Sequence, residues 1–140
     1  MVESTTGRDL HCVVVTPERA LLDEPADFVA LPMVDGELGV LPGRAPLIGR
    51  LGYGELRIRR GDETRRFFVD GGFAQVRSNT VTVLTGRALR ANEIDVPAAE
   101  EALNATAAPG ATAEARRMRQ ERARAQLRVA RGGAAAGGGH

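Results

Sequence analysis

Between Leu10 and Thr85, apolar residues recur mostly at every second position, the signature of strands with one buried and one wet face. Six short runs carry it: "LHCVVVT" (Leu10 to Thr16), "DFVALPM" (Asp27 to Met33), "ELRIRR" (Glu55 to Arg60), "RRFFVD" (Arg65 to Asp70), "GFAQV" (Gly72 to Val76) and "TVTVLT" (Thr80 to Thr85). In "ELRIRR", Leu56 and Ile58 point one way and Arg57 and Arg59 the other. Turn chemistry separates the runs at Asp35-Gly36, Gly52-Tyr53-Gly54, Gly61-Asp62, Gly71-Gly72 and Ser78-Asn79. Short strands at this spacing predict a β-sandwich or flattened barrel.

One stretch breaks the alternation. "GELGVLPGRAPLIG", Gly36 to Gly49, holds four glycines and two prolines, too broken for a helix. Leu38, Val40, Leu41, Leu47 and Ile48 are apolar, so it is not a plain solvent loop either. Its charged residues are Glu37 and Arg44, and it carries no pattern that chemistry would need.

Near residue 90 the pattern changes period. "NEIDVPAAEEALNA" reads as a helix with Asp95 as N-cap and Pro97 tolerated in the first turn. "AAPGAT" breaks it at Pro109-Gly110, and a second helix runs from a cap at Thr112 to about Arg131. The domains expected are a sandwich over 1–90, a helical hairpin over 91–131 and a disordered glycine/alanine tail over 132–140. Residues 91–111 carry four acids and no base, whereas 112–131 carry seven arginines against two glutamates, a net of +5. Opposite charges favour an antiparallel hairpin, though each exposed pair contributes only a few tenths of a kcal/mol, so the hairpin is expected to open readily.

Composition removes most enzyme classes. All 19 basic residues are arginine, so neither a Walker-A phosphate loop nor a lysine Schiff base exists. Neither serine, Ser4 or Ser78, lies in G-x-S-x-G. His11 and His140 with the single Cys12 make no tetrahedral zinc site. His11 reads as a strand-surface residue, His140 as a frayed end and Cys12 as a buried small hydrophobe. No apolar run is long enough to cross a bilayer, and the opening "MVESTTGRDLHCVVV" lacks the pattern of a signal peptide. "RGD" at Arg60 to Asp62 falls at a predicted hairpin tip and reads as chance.

Three segments carry a resemblance. "GELGVLPGRAPLIGRLGYGELRI" resembles the central block of the epsilon subunit of F-type ATP synthases, in which G-E-L-G-x-x-P-G-H-x-P-L is typical. "FFVDGGFAQVRSNTVTVLTGRA" is similar to that family's second block, and "AQLRVAR" to part of its last helix. The resemblance implies a mainly β chain with a helical end: an N-terminal β-sandwich of about ten short strands, then an antiparallel two-helix hairpin. It implies a non-catalytic central-stalk subunit that couples rotation and proton translocation to ATP synthesis and restrains ATP hydrolysis. Its partners would be the gamma subunit, the c ring and the catalytic alpha/beta subunits. It would lie at the cytoplasmic face of the bacterial plasma (inner) membrane, peripheral to it through the complex, with no cofactor, metal or nucleic acid bound.

By position in the motif, Glu37, Leu38, Gly39, Pro42, Gly43, Arg44, Ala45 and Pro46 form the implied interface, with Glu37 toward the c ring and Arg44 toward gamma. Arg116, Arg117, Arg119, Arg122, Arg124 and Arg128 would present a basic regulatory helix to an acidic segment of the catalytic subunits. Two positions depart from the family. Arg44 stands where histidine is usual, and in "IDVPAA" Ala98 replaces the arginine of the I/L-D-x-x-R-A pattern of ATP-binding members, which removes a charge-assisted partner for ATP. The alternative on the residues alone is an independent β-sandwich binding module whose arginine-rich tail meets an acidic protein or nucleic acid. Against the latter, residues 1–90 balance 12 arginines with 12 acids, and aromatics for stacking are few.

Overall fold

The computed structural model describes residues 9–104, 110 and 112–139, with side chains as far as Gly132. Ser4, Pro109 and His140 lie outside the described residues. Eight strands form one folded-over sheet: β1 (Leu10–Val15), β2 (Ala20–Ala26), β3 (Phe28–Met33), β4 (Gly36–Val40), β5 (Leu47–Arg60), β6 (Glu63–Arg77), β7 (Thr80–Leu84) and β8 (Ala88–Arg90). A 3-10 turn (Ala91–Glu93) leads to helix α1 (Val96–Asn104), and helix α2 runs over Ala113–Gly139. The strand order is β2-β1-β7-β6-β5-β3-β4, with β8 on β6 and only the β1–β7 pairing parallel.

Eight strands stand where about ten were expected, because two glycine signals read as turns are bends inside continuous strands. β5 and β6 pair without a register shift from Leu47↔Val76 to Arg60↔Glu63. Yet the core side of each strand switches: Leu51 then Leu56 on β5, and Val69 then Ala74 on β6, face the same interior. The switch falls at Gly52 to Gly54 and, opposite, at Gly71 and Gly72. Gly72 has φ +113, and a Cβ there would lie 2.0 Å from the Leu84 carbonyl oxygen. The bend lets one pair of strands serve both layers of the sandwich. β2, β4 and β8 escape the alternation reading, since β2 carries Pro25 and, like β4, lies at a sheet edge, while β8 has three residues.

Other local signals act as read. Ser78 and Asn79 take φ 51 and 62, the left-handed pair that closes a tight hairpin. The β5–β6 hairpin turns at Gly61-Asp62, where the Gly61 N–H donates to Asp27 Oδ2 at 2.6 Å. Asp95 Oδ1 accepts from the Ala98 N–H at 3.1 Å, and Thr112 Oγ1 from the Ala115 N–H at 3.0 Å, so both helix caps are in place. Helical backbone continues past Arg131 to Gly139, where the sequence predicts a disordered tail; an established helix adds one hydrogen bond per residue, which carries it on despite the five glycines there.

The main core lies between the layers and includes Leu10, Cys12, Val14, Val29, Leu31, Leu56, Phe67, Val81 and Val83. Cys12 is fully buried, and burial, with Glu24 adding to it, pushes its thiol up to about 12. His11 is on the strand surface, bonded through Nε2 to Asp23 on β2. A second, smaller core joins Phe68 and Ile94 to Ala125 and Val129 of α2.

Candidate functional site

The glycine-rich segment begins as an edge strand. Leu31↔Leu38 and Val29↔Val40 put Leu38 and Val40 on the core side of β4, and Glu37 and Gly39 on the other. A Cβ on Gly39 would stand 3.0 Å from the Phe28 ring, so the ring would have to shift to admit a side chain there. Glu37 is half-exposed but not free: Arg57 Nη2 donates to its Oε1 at 3.1 Å. After Val40 the chain turns, closed by the Arg44 N–H on the Leu41 carbonyl at 3.2 Å. Gly43 sits at φ +89, and its N–H donates to Asn79 Oδ1 at 2.8 Å, which ties the loop to the β6–β7 turn. Arg44, Ala45 and Pro46 are exposed, Pro42 is half-buried, and Arg44 pairs with no carboxylate among the described residues. All eight predicted interface residues thus lie on one edge strand and the pinned loop after it.

A second surface is not in the sequence reading. Phe73↔Leu84 are paired across β6 and β7, Arg50↔Phe73 and Ile48↔Gln75 across β5 and β6, and Val15↔Leu84 across β1 and β7. These pairs share the outer face of one layer. Ile48 is 72% exposed, Phe73 52% and Leu84 51%, with nothing over them among the described residues. A signal was available: in "GFAQV", Ala74 and Val76 must face inward together, which turns Phe73 out.

The helical hairpin covers a different face. Ala125 and Val129 pack on Phe68 and Ile94, with Tyr53, Leu89 and Val96 around them. Arg122 Nε donates to Asp70 Oδ1 at 3.3 Å, and its guanidinium lies 4.6 Å from the Tyr53 ring centroid. Arg116, Arg117, Arg119, Arg124 and Arg128 are exposed and unpaired among the described residues. So Arg122 holds the helix to the sheet while the other five predicted arginines face solvent. Between the helices one ion pair is present among the described residues, Arg131 Nη2 to Glu100 Oε2 at 2.8 Å. Apolar packing of α2, not a charge zipper, carries the hairpin.

Residues 9–91 match the ATP synthase, Delta/Epsilon chain, beta-sandwich domain family. The ATP synthase epsilon chain of Rhodopirellula baltica is 54% identical over 126 residues, covering 87% of this chain and 98% of that one. The chain belongs to the ATP synthase delta/epsilon family. The epsilon chain of Pelotomaculum thermopropionicum is 49% identical over 89 residues, 64% of this chain and 66% of that one. Two solved chains share the fold at low identity. One, in the OSCP/F1/c-ring structure of Euglena gracilis mitochondrial ATP synthase, has TM-score 0.63 and 19% identity over 92% of this chain and 81% of that one. The other, in the central stalk/c-ring structure of Tetrahymena thermophila mitochondrial ATP synthase, has TM-score 0.67 and 16% identity over 86% and 96%.

In this epsilon-type chain, Ala98 is exposed on the first turn of α1 and offers only its capped N–H. A cleft of about 360 Å³ lies beside it, lined among others by Arg87, Asp95, Arg119 and Arg122. Arg122 is already engaged by Asp70 and Tyr53. Among the described residues no three His, Cys, Asp or Glu side chains gather as metal ligands, and no helix is long and apolar enough to cross a membrane.

Proposed function

We propose that this chain is a non-catalytic central-stalk subunit of a rotary ATP synthase, coupling rotation and proton translocation to ATP synthesis. The observation that carries this is the bare apolar face of Ile48, Phe73 and Leu84 on a family member whose corresponding apolar surface elsewhere is covered by its own helix. Exposed large side chains clustered on a stiff sheet mark a protein interface. The sandwich, residues 1–90, docks the gamma subunit through this face. The Glu37 to Pro46 edge meets the c ring and the adjoining part of gamma, with Glu37 toward the ring and Arg44 toward gamma. Peripheral attachment at the cytoplasmic face of a bacterial inner membrane follows from that docking.

The hairpin, residues 91–131, is the regulatory part. Released from Phe68, α2 would present Arg116, Arg117, Arg119, Arg124 and Arg128, joined by Arg122, to an acidic segment of the catalytic alpha/beta subunits and block ATP hydrolysis. With Ala98 in place of arginine, ATP does not lock the docked form.

Co-purification with gamma tests the proposal. Phe73→Asp with Ile48→Asp should abolish gamma binding while the circular dichroism spectrum and melting are kept. Retained binding in that folded variant rules the face out. Deleting residues 112–140 should raise ATP hydrolysis with assembly intact, and equal rates at all ATP concentrations would remove the regulatory role.

A further inference from the structure

The main core is open at one side, where the edges of β2 and β8 do not pair. The cleft there has a volume of about 320 Å³ and is lined by Arg19, Leu21, Phe67, Ala88, Arg90 and Glu93, with Ala20 alongside. Its floor is Phe67, 2% exposed. A second cleft of about 450 Å³ adjoins it through Phe67 and Arg90 and adds Arg65 and Arg66.

Both lips carry arginines on anchored backbone. Arg19 closes a turn in which its carbonyl accepts from the Thr16 N–H at 2.9 Å and from Thr16 Oγ1 at 3.2 Å, while its own N–H donates to the Thr16 carbonyl at 3.2 Å. Arg90 ends β8 opposite Phe67, and its N–H donates to Glu93 Oε1 at 2.8 Å. Its guanidinium lies 5.7 Å from the Phe67 ring centroid. Neither guanidinium has a carboxylate partner among the described residues, whereas Arg65 and Arg66 pair with Glu24 and Glu55 at 2.8 and 3.0 Å. Arg66, which also lines the second cleft, has a buried Nε with no acceptor among the described residues. Such an orphaned donor is uncommon and costs stability.

We propose that this slot binds a small phosphate monoester. The planar forks of Arg19 and Arg90 match phosphate oxygens bidentately from two sides. Leu21 and Ala88, both half-buried, receive the apolar part of the ligand above the buried Phe67 ring. Glu93, the single carboxylate in the lining, is held at the mouth by the Arg90 N–H and leaves the two unpaired cations in excess. The site shares no residue with the bare face or the edge loop. It lies at the root of the hairpin, since β8 leads directly into the turn whose Ala91 joins the second core.

Amide shifts of the full chain, titrated with phenyl phosphate and with inorganic phosphate at constant ionic strength in chloride, test this. Saturable shifts are expected at residues 19–21, 67 and 88–93, with phenyl phosphate the tighter ligand. Arg19→Gln, on an exposed turn where folding does not depend on the side chain, should weaken binding at least tenfold, and Arg90→Gln likewise. Arg77→Gln, exposed and outside both linings, should leave phosphate affinity unchanged. Non-saturating shifts spread over the arginines of α2 would mean charge screening only and overturn the proposal. So would unchanged affinity in the Arg19 variant.

Discussion

Phe68 and Phe73 lie five residues apart on one strand, and both turn away from the main core, yet they meet opposite fates. Phe68 is fully buried under Ala125 and Val129 of α2, and Phe73 is 52% exposed. The paired glycines between them reverse which side of β6 faces inward, so the strand offers an outer face twice, once to each side of the sandwich. Its own helix covers one of these faces, and among the described residues nothing covers the other. A helix tied to the sheet chiefly by Ala125, Val129, Ala130 and one arginine is a removable cover. A bare face on a paired sheet is, on the proposed reading, the standing interface with a partner.

The most severe way to break this contrast is at the bend. Gly72→Ala places a methyl group where the Leu84 carbonyl stands and forces an L residue to φ +113. Backbone against backbone leaves nothing flexible to yield, so a loss of about 4 kcal/mol or more is expected. Urea unfolding would measure it, and gamma binding and hairpin docking should fail together because both faces hang on this joint.

The two phenylalanines separate the faces themselves. Phe68→Ala should cost about 3 kcal/mol, as a large core truncation does, and free α2 to exchange its amides quickly. Phe73→Ala should change stability by less than about 0.5 kcal/mol, since the ring is already half in water. Its effect belongs in gamma affinity, where a central aromatic is worth about 2 kcal/mol or more, roughly thirtyfold. Equal effects of the two substitutions on unfolding would show that the outer faces do not differ.

How far this was legible in the sequence depends on how local the cause is. Ser78-Asn79, Asp95 and Thr112 act through their own backbone neighbours, and each was readable. Gly71-Gly72 announced an unusual φ but not whether the chain would reverse or bend, because the ladder partner that decides, Leu51 to Tyr53, is remote in sequence. The eight residues proposed between Glu37 and Pro46 were singled out through their motif, whereas nothing in the sequence set Ile48, Phe73 and Leu84 apart from other apolar positions. Only the register shows that they stand together outside. Arg122 was one of six arginines alike in sequence, and its distinct place is set by Asp70, 52 residues away.

A smaller effect tests how the cover is fastened. Arg122→Ala removes a pair that is partly exposed on both sides, 40% and 21%, so solvent weakens it. With the Tyr53 contact added, the expected loss is about 1 kcal/mol, confined to docking of α2. Arg116→Ala, on the same helix but free in solvent, should leave docking unchanged. Hydrogen exchange of residues 120–131 would read both. In the assembled enzyme Arg122→Ala both frees the helix and removes one of its inhibitory contacts, whereas Arg116→Ala only removes a contact, so the second should relieve inhibition of ATP hydrolysis more than the first.

The smallest effect expected concerns whether the bare face is also a loose one. Cys12 lies on the inner side of the same layer, between outward-facing His11 and Val13 on β1, and is fully buried. Its thiol ionises near 9.0 in the unfolded chain and is pushed up to about 12 in the folded protein by burial first and Glu24 second. The folded state therefore holds this proton more tightly than the unfolded one. The contribution to stability is present in full below about pH 9 and is lost as pH rises toward 12. At neutral pH, then, no pH dependence from this group is expected, and a thiol reagent should label Cys12 only as fast as the sandwich unfolds. Cys12→Ala should flatten the fall in stability above pH 9 and leave gamma binding untouched. Rapid labelling of the native chain, unaffected by conditions that stabilise the fold, would mean that the layer under Ile48, Phe73 and Leu84 opens on its own, and a face that opens is no rigid interface.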